Sequence, residues 1–362
     1  MSKRKLKKRI RKGAKRAAYW LVLAVLWVAK TLHLPPRLFP GKLRQMMKHW
    51  TRSMMGVYVS SLGRRAYMDQ PCELRDPPSF APRIEIEGTN RMTEADIRDF
   101  YQKGFAGPFT AVTPSEMASF ASSIERELAQ PSKAFGFKTV RDRHLDLPEV
   151  IELFAKPAIV DRLAQLMGPD LQIWRSQVFD QQPGAPPITW HQATTYMLED
   201  YQRPILEPLD AGQLFQLTTW IAVDRATIEN GCVQFIPGTH RHTATVKLDG
   251  AGGFYAAHFE LEHQPDPAKI VSMELEAGQF VIFSERVIHG SPGNRSANRR
   301  MGINFRTVQP STAVYRDHDE HYAMHLEETY KLDHWGVVTL RGEDRYGYNK
   351  VAQLPARERV AG

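Results

Sequence analysis

The run "GQFVIFSERVIHG", residues 278–290, has the texture of a strand that stops at a histidine. Phe280, Val281, Ile282 and Phe283 form a short β-branched and aromatic block, with Gly278 before it and the polar Ser284, Glu285 and Arg286 after it. A block of that length between turn residues fits a buried strand better than a core helix. Similar runs recur around it: "LQIWRSQVF" (171–179), "FQLTTWIAV" (215–223), "GCVQFIP" (231–237), "AKIVSMELEA" (268–277) and "MGINFRTV" (301–308). Turn residues separate them, so they read as one antiparallel β-structure, a sandwich or barrel.

Upstream the texture is helical. "TEADIRDFYQKGF" (93–105) begins with Thr93 and has Asp96 three residues on, a capping-box signature, followed by Ile97 and Phe100 at helical spacing. "TPSEMASFASSIERELAQ" (113–130) carries Pro114 in its first turn, and "LPEVIELFAKPAIVDRLAQLMG" (147–168) gives one or two more helices. Helices first and strands after predict a helical layer packed on the β-structure. At 362 residues the chain is long enough to bury a full-sized core. Its two cysteines, Cys72 and Cys232, are far apart and match no metal or redox spacing, which fits a reducing compartment.

The net charge of +8 hides an asymmetry. Residues 1–65 hold 18 of the 48 Lys/Arg and none of the 40 Asp/Glu, so the remainder is an acidic body. Ten of the first 16 residues are basic, and "AAYWLVLAVLWVA" (17–29) follows as thirteen apolar residues closed by Lys30. That run is short of the roughly 18–20 residues of a spanning helix. Beyond Pro35, Pro36 and Pro40, "KLRQMMKHWTRSMMGVYVSSLG" (42–63) has Leu43, Met46, Met47, Trp50, Met54 and Val57 near helical period. A basic amphipathic element with a Trp predicts an anionic membrane surface as the partner of residues 1–65, and a cytoplasmic protein peripheral on the inner face of the membrane. The blander reading is a tail plus a helix packed on the body. Nucleic acid is disfavoured because the apolar run has no place in such an interface. The long basic stretch and the lack of a small-residue cleavage site argue against a secretory signal, while a transit peptide shares the acid-free composition. The resulting division is an arm (1–70), a Pro-rich linker (71–92), a main domain (93–351) and a tail (352–362).

Most of the thirteen histidines need no special reading. His240 and His242 lie just past a Pro-Gly turn and read as turn residues, not a second metal pair; Cys232 and Trp174 read as core and Trp190 as wall. His191 and His289 differ by their neighbours. His191 follows "PPITW" (186–190), a strand entry, and eleven residues after His289 stands Arg300 in "NRRMGINFR" (298–306).

Together with "TTWIAVDRATIENGCVQFIPGTHRH" (218–242) and "AGQFVIFSERVIHGSPGNRS" (277–296), these parts resemble the phytanoyl-CoA dioxygenase superfamily of iron(II)/2-oxoglutarate enzymes. The resemblance covers roughly residues 93–351. It implies a mainly β fold with an α layer, a double-stranded β-helix (jelly roll, cupin-like) core packed by N-terminal helices. It also implies iron(II), 2-oxoglutarate and O₂, with the pattern His-x-Asp, a distal His and an Arg about ten residues beyond. The chemistry agrees: two imidazoles leave iron(II) open positions for an oxoacid and O₂. The buried far carboxylate of 2-oxoglutarate then needs a charge-assisted partner. Arg300 fits that role; Arg299 competes, and Arg306 is a third choice, on the same strand face as Arg300 if no bulge intervenes.

The departure lies in "TWHQATTY" (189–196), where Ala193 stands at the carboxylate position. Glu199 and Asp200 are too far along the chain to replace that ligand without refolding the segment. Three readings compete. Chloride, of the same charge as the lost carboxylate, occupies the vacated volume, and a substrate radical is halogenated. Or iron is not usefully bound, and the protein is a non-catalytic binding module. Or water fills the gap, and the enzyme hydroxylates. The His-x-Ala pattern is similar to that of carrier-protein-dependent nonheme iron halogenases, the subgroup of the syringomycin-biosynthetic enzyme. "RHLDLPEVIELFAKPAIVDRLAQLMGPDLQIWR" (143–175) and "YKLDHWGVVTLRGEDRYGYNKV" (330–351) share that likeness. The resemblance implies His191 and His289 as iron ligands and Ala193 as the halide site. It places Arg300 and Trp220 at 2-oxoglutarate, Arg306 and Thr218 near the halide, and Tyr196 on the substrate side. It further implies chlorination of an aliphatic substrate tethered to a carrier protein; the arm suggests a lipid-like chain instead. Gln177 and Ile188 depart from the subgroup, which has an acidic residue and a threonine there.

Overall fold

The computed structural model describes residues 3–62, 65–66, 74–193, 204–244, 246–249, 258–323, 326 and 328–354. The chain first forms α1 (Lys3–Thr31), α2 (Gly41–His49), α3 (Arg52–Ser60), β1 (Arg65–Ala66), α4 (Glu94–Lys103), β2 (Phe105–Thr110), α5 (Pro114–Leu128), α6 (Pro148–Phe154) and α7 (Pro157–Met167). Strands follow: β3 (Leu171–Gln181), β4 (Ile188–His191), β5 (Leu206–Pro208), β6 (Gln216–Ala222), β7 (Val233–Ile236), β8 (Val246–Asp249) and β9 (His258–Leu261). The last are β10 (Val271–Met273), β11 (Gln279–Ser284), β12 (Ile288–Ser291), β13 (Arg300–Val308), β14 (Thr312–Val314), β15 (Glu320–Ala323), β16 (Glu328–Lys331) and β17 (Val338–Arg341).

The helix starts follow their caps. Thr93 accepts from the Asp96 amide at 3.2 Å while the Asp96 carboxylate accepts from the Thr93 amide at 2.7 Å. Gly104, left-handed at φ 90°, ends α4. The expected helical stretch at 147–168 is two helices, because Pro157 holds Lys156 in an extended conformation.

Two antiparallel sheets make the jelly-roll core. The larger has the order β17-β3-β13-β6-β11-β2 and the smaller β10-β7-β12-β4. Alternation along the larger sheet separates two interiors. Met301, Ile303 and Phe305 of β13, Leu217 and Ile221 of β6, and Phe280 and Ile282 of β11 belong to the core shared with α4–α7. Trp220 and Ala222 of β6 and Val281 and Phe283 of β11 join Val233 and Phe235 of the smaller sheet in a second core. The expected α layer on a mainly β body is therefore present, with the helices on one face and the smaller sheet on the other.

The arm is built differently from its sequence pattern. The basic and apolar runs form one helix, α1, while residues 42–63 break at Trp50 into two helices because Thr51 starts α3 as an N-cap. Trp20 Nε1 donates to the Val59 carbonyl at 2.9 Å, and Lys30 Nζ donates to the carbonyls of Met47 and Trp50 at the end of α2. Leu23, Leu26, Met46, Trp50, Met54 and Tyr58 form a third core, against which Trp190 of β4 and Ile288 of β12 pack. The linker segment is tied to the body by Leu74 and Met92.

Phe305 is fully buried and stacks on Phe154 of α6 with ring centroids 4.2 Å apart, joining sheet to helices. Phe305→Ala is expected to lower the unfolding free energy by about 3–5 kcal/mol, read from the urea midpoint.

Candidate active site

The pairing of β12 with β4 sets His289 directly opposite His191. Their rings lie side by side, centroids 4.3 Å apart. In each ring Nδ1 meets a backbone carbonyl two residues earlier: Thr189 at 2.7 Å for His191 and Val287 at 2.8 Å for His289. A carbonyl only accepts, so Nδ1 carries the proton and Nε2 keeps its lone pair. Burial lowers the pKa of His191, with the Arg306 charge adding to it. Burial, and then His191 and Arg306, hold His289 well below the usual imidazole value. Two neutral imidazoles with fixed tautomers are what a transition metal requires of its nitrogen ligands.

Ala193 stands two residues after His191, 4 % exposed, its amide donating to the Glu285 carbonyl at 2.8 Å. The methyl group cannot bind a metal. The Glu285 carboxylate, which burial pushes up, pairs with Arg286 at 2.8 Å and is not available in its place. Among the described residues no group of three His, Cys, Asp or Glu side chains could hold a metal ion. Tyr196, like Glu199 and Asp200, lies outside the described residues.

The other expected residues share the inner face of the larger sheet. Trp220 is opposite Asn304, and Thr218 opposite Arg306. No register shift separates Arg300 from Arg306, so both point to the same face. Arg300 is 1 % exposed, lies over the Trp220 ring at 5.4 Å and makes a 3.4 Å hydrogen bond to Ser291 Oγ. Its Nε has no partner, and burial pushes its guanidinium down to about 10. A cation so buried favours an anionic partner. Its neighbour Arg299 differs: it binds Asp224 at 2.9 Å and also the exposed Glu125. Arg306 is beside Trp174, 5.7 Å from its ring, and its charge reaches both histidines. Gln177 is opposite Asn304, and Ile188 opposite Ser291.

Sequence reasoning missed Gln192. Its amide nitrogen donates to the carbonyls of His242 and Arg286, both at 2.7 Å, and Thr239 at 3.2 Å, while its oxygen accepts from the Ala244 amide at 2.8 Å. It therefore fixes the backbone between His191 and Ala193. Its partners are 47 to 94 residues away, so no local signal marks it. His240 is a structural residue, its Nε2 donating to the Tyr101 carbonyl at 2.9 Å, and burial lowers it to about 4. Cys232 is in the inter-sheet core, and burial pushes its thiol up to about 12.

Residues 100–302 match the family model described as Phytanoyl-CoA dioxygenase (PhyH). The chain is 24% identical over 253 residues to the peroxisomal phytanoyl-CoA dioxygenase of Rattus norvegicus, covering 63% of this chain and 72% of that protein. It is 28% identical over 152 residues to dioxygenase lolE1 of Epichloe uncinata, covering 42% of this chain and 52% of that one. It thus spans about half the length of several curated relatives that it matches. A solved structure described as CytC3 with Fe(II) and alpha-ketoglutarate superposes with a TM-score of 0.59 at 26% identity, over 74% of this chain and 95% of that one.

Gly302 lies under the indole: a Cβ there would be 2.1 Å from Trp220 Cζ2. Gly302→Ala is expected to displace Trp220 and cost about 1–3 kcal/mol, measured by denaturation alongside a shift in tryptophan emission.

Proposed function

The chain belongs to the phytanoyl-CoA dioxygenase family, and from that premise we propose that it is an iron(II)- and 2-oxoglutarate-dependent radical halogenase that chlorinates an unactivated aliphatic carbon. The observation that carries this reading is Ala193, buried two residues after His191, with the adjacent Glu285 committed to Arg286. A structural relative whose description names Fe(II) and alpha-ketoglutarate supports the cofactor pair.

The residues fit both cofactors. His191 and His289 would hold iron(II) through Nε2. Arg300, with an orphaned Nε, would take the far carboxylate of 2-oxoglutarate, braced by Trp220 and Ser291. When bound, iron(II) with 2-oxoglutarate and O₂ supplies an oxidant that cleaves an aliphatic C–H bond, 2-oxoglutarate leaving as succinate and CO₂. The chain's own contribution is the choice of ligand. Without a carboxylate at 193, a metal held by His191 and His289 would lack one negative charge, and chloride would restore it. Arg306, whose field reaches both histidines, favours an anion at that side, and Thr218, opposite it, is a hydroxyl donor from the same face. The substrate carbon exchanges one hydrogen for chlorine. One O₂ oxygen enters succinate and the other leaves as water, taking the abstracted hydrogen and one proton. The likeness to His-x-Ala enzymes favours an acyl or aminoacyl group held as a thioester on a carrier protein.

The test is product mass. With iron(II), 2-oxoglutarate, O₂ and chloride, acyl thioesters on a carrier protein should gain the isotope pattern of one chlorine. A product carrying only hydroxyl at saturating chloride would overturn the reading. Ala193→Asp should abolish chlorination by filling the anion position. Arg300→Gln should weaken 2-oxoglutarate binding by roughly 100-fold, as loss of a buried charge-assisted partner does, while Arg299→Gln leaves it within about threefold.

A further inference from the structure

Helix α1 is apolar on two sides but, among the described residues, has a protein partner on one. Leu23, Leu26 and Ala29 are buried against α2 and α3. Leu21, Val25, Val28 and Leu32 repeat at steps of four, three and four on another side and are 60 %, 56 %, 50 % and 65 % exposed. Ala14, Ala17 and Ala18 continue that line toward the N-terminus and are exposed too, and Leu34 and Leu38 extend it past the helix end. A helix apolar over most of its circumference is normally covered throughout, and a contiguous exposed patch of this kind marks an interaction surface.

We propose that this stripe lies in the headgroup region of an anionic lipid bilayer, holding the protein on a membrane surface. Three features choose the lipid. First, the same helix carries ten basic residues among positions 1–16, and no acid occurs before position 66, so the charge complements anionic headgroups. Second, no helix among the described residues is long and apolar enough to cross a membrane, which leaves the surface as the place for an amphipathic one. Third, the exposed side chains are Leu and Val with no exposed aromatic among them, whereas protein interfaces concentrate their energy in Trp, Tyr and Arg. A second copy docking through this face would bring two acid-free basic arms together, which like-charge repulsion opposes.

The consequence reaches the active site. The buried side of α1 belongs to the cluster that holds Trp190 and Ile288, the neighbours of His191 and His289 in β4 and β12. Docking α1 would therefore set the histidine strands about one helix diameter, roughly 10 Å, from the lipid. A substrate bearing an aliphatic chain would be concentrated at that distance.

Co-sedimentation of the full chain tests the proposal. It should pellet with phosphatidylcholine vesicles containing phosphatidylserine, pellet less with pure phosphatidylcholine, and release as salt rises. Val25→Glu with Leu32→Glu should weaken partition by roughly tenfold or more, since each change removes a side chain that the bilayer would bury. Far-UV dichroism reports the fold; should the pair unfold, Leu32→Gln alone gives the same readout in smaller measure. The proposal is overturned if the chain does not pellet, if neutral and anionic vesicles are equivalent and salt has no effect, or if the variants leave partition unchanged. It is equally overturned if the variants abolish self-association, or capture of an acidic carrier protein, in vesicle-free solution while vesicle partition persists.

Discussion

The register of β12 on β4 is the constraint on which the site depends, because it sets two histidines opposite each other across one strand pair. A slip of one residue would turn one ring to the other side of the sheet. Two features stand behind the register. The second core holds Phe235 and Phe283 against the His289 ring, with centroids 6.4 and 4.9 Å away. The arm packs Trp190 and Ile288 from outside. Gln192 then fixes the chain between His191 and Ala193, so the position of Ala193 is set as firmly as that of the histidines. The two carbonyls that hold Nδ1 decide the tautomers, and burial keeps both rings neutral. Metal competence in this account is a property of backbone geometry as much as of residue type.

Much of this was legible in the sequence, and for identifiable reasons. Strand alternation in "MGINFRTV" states which residues meet the helices, and Arg300 and Arg306 share the other face because no bulge intervenes. The cap at Thr93 is local chemistry and was readable as such. What was not legible depends on distance. Nothing near Gln192 announces three carbonyls from two remote segments. That Arg299 is engaged while Arg300 keeps an unpartnered Nε depends on Asp224 and Glu125, far apart in sequence. The split of residues 42–63 at Trp50 escaped the helical period because apolar spacing continues through it, while Thr51 caps a new helix. Tyr196 lies outside the described residues, so its substrate-side role is still an expectation.

Charge distribution adds a second theme. The inner face of the larger sheet carries buried Arg300 beside an indole and Arg306 near the histidines, a cationic environment that suits anions. The outer arm is cationic too, but by surface lysines and arginines that long-range screening governs. In the proposed reading the first set bears on the oxoacid and the halide, the second on where the protein sits. Salt should separate them, since buried pairs are screened far less than exposed ones.

The central claim is that position 193 leaves a place on iron for chloride. It is tested most directly without oxygen and without any substrate. Iron(II) and 2-oxoglutarate are added to the full chain, and the visible charge-transfer band of the chelate is recorded as chloride is titrated. The account predicts a saturable, chloride-dependent shift of that band in the native protein and none in Ala193→Asp. A band that forms in both proteins and is indifferent to chloride would contradict it.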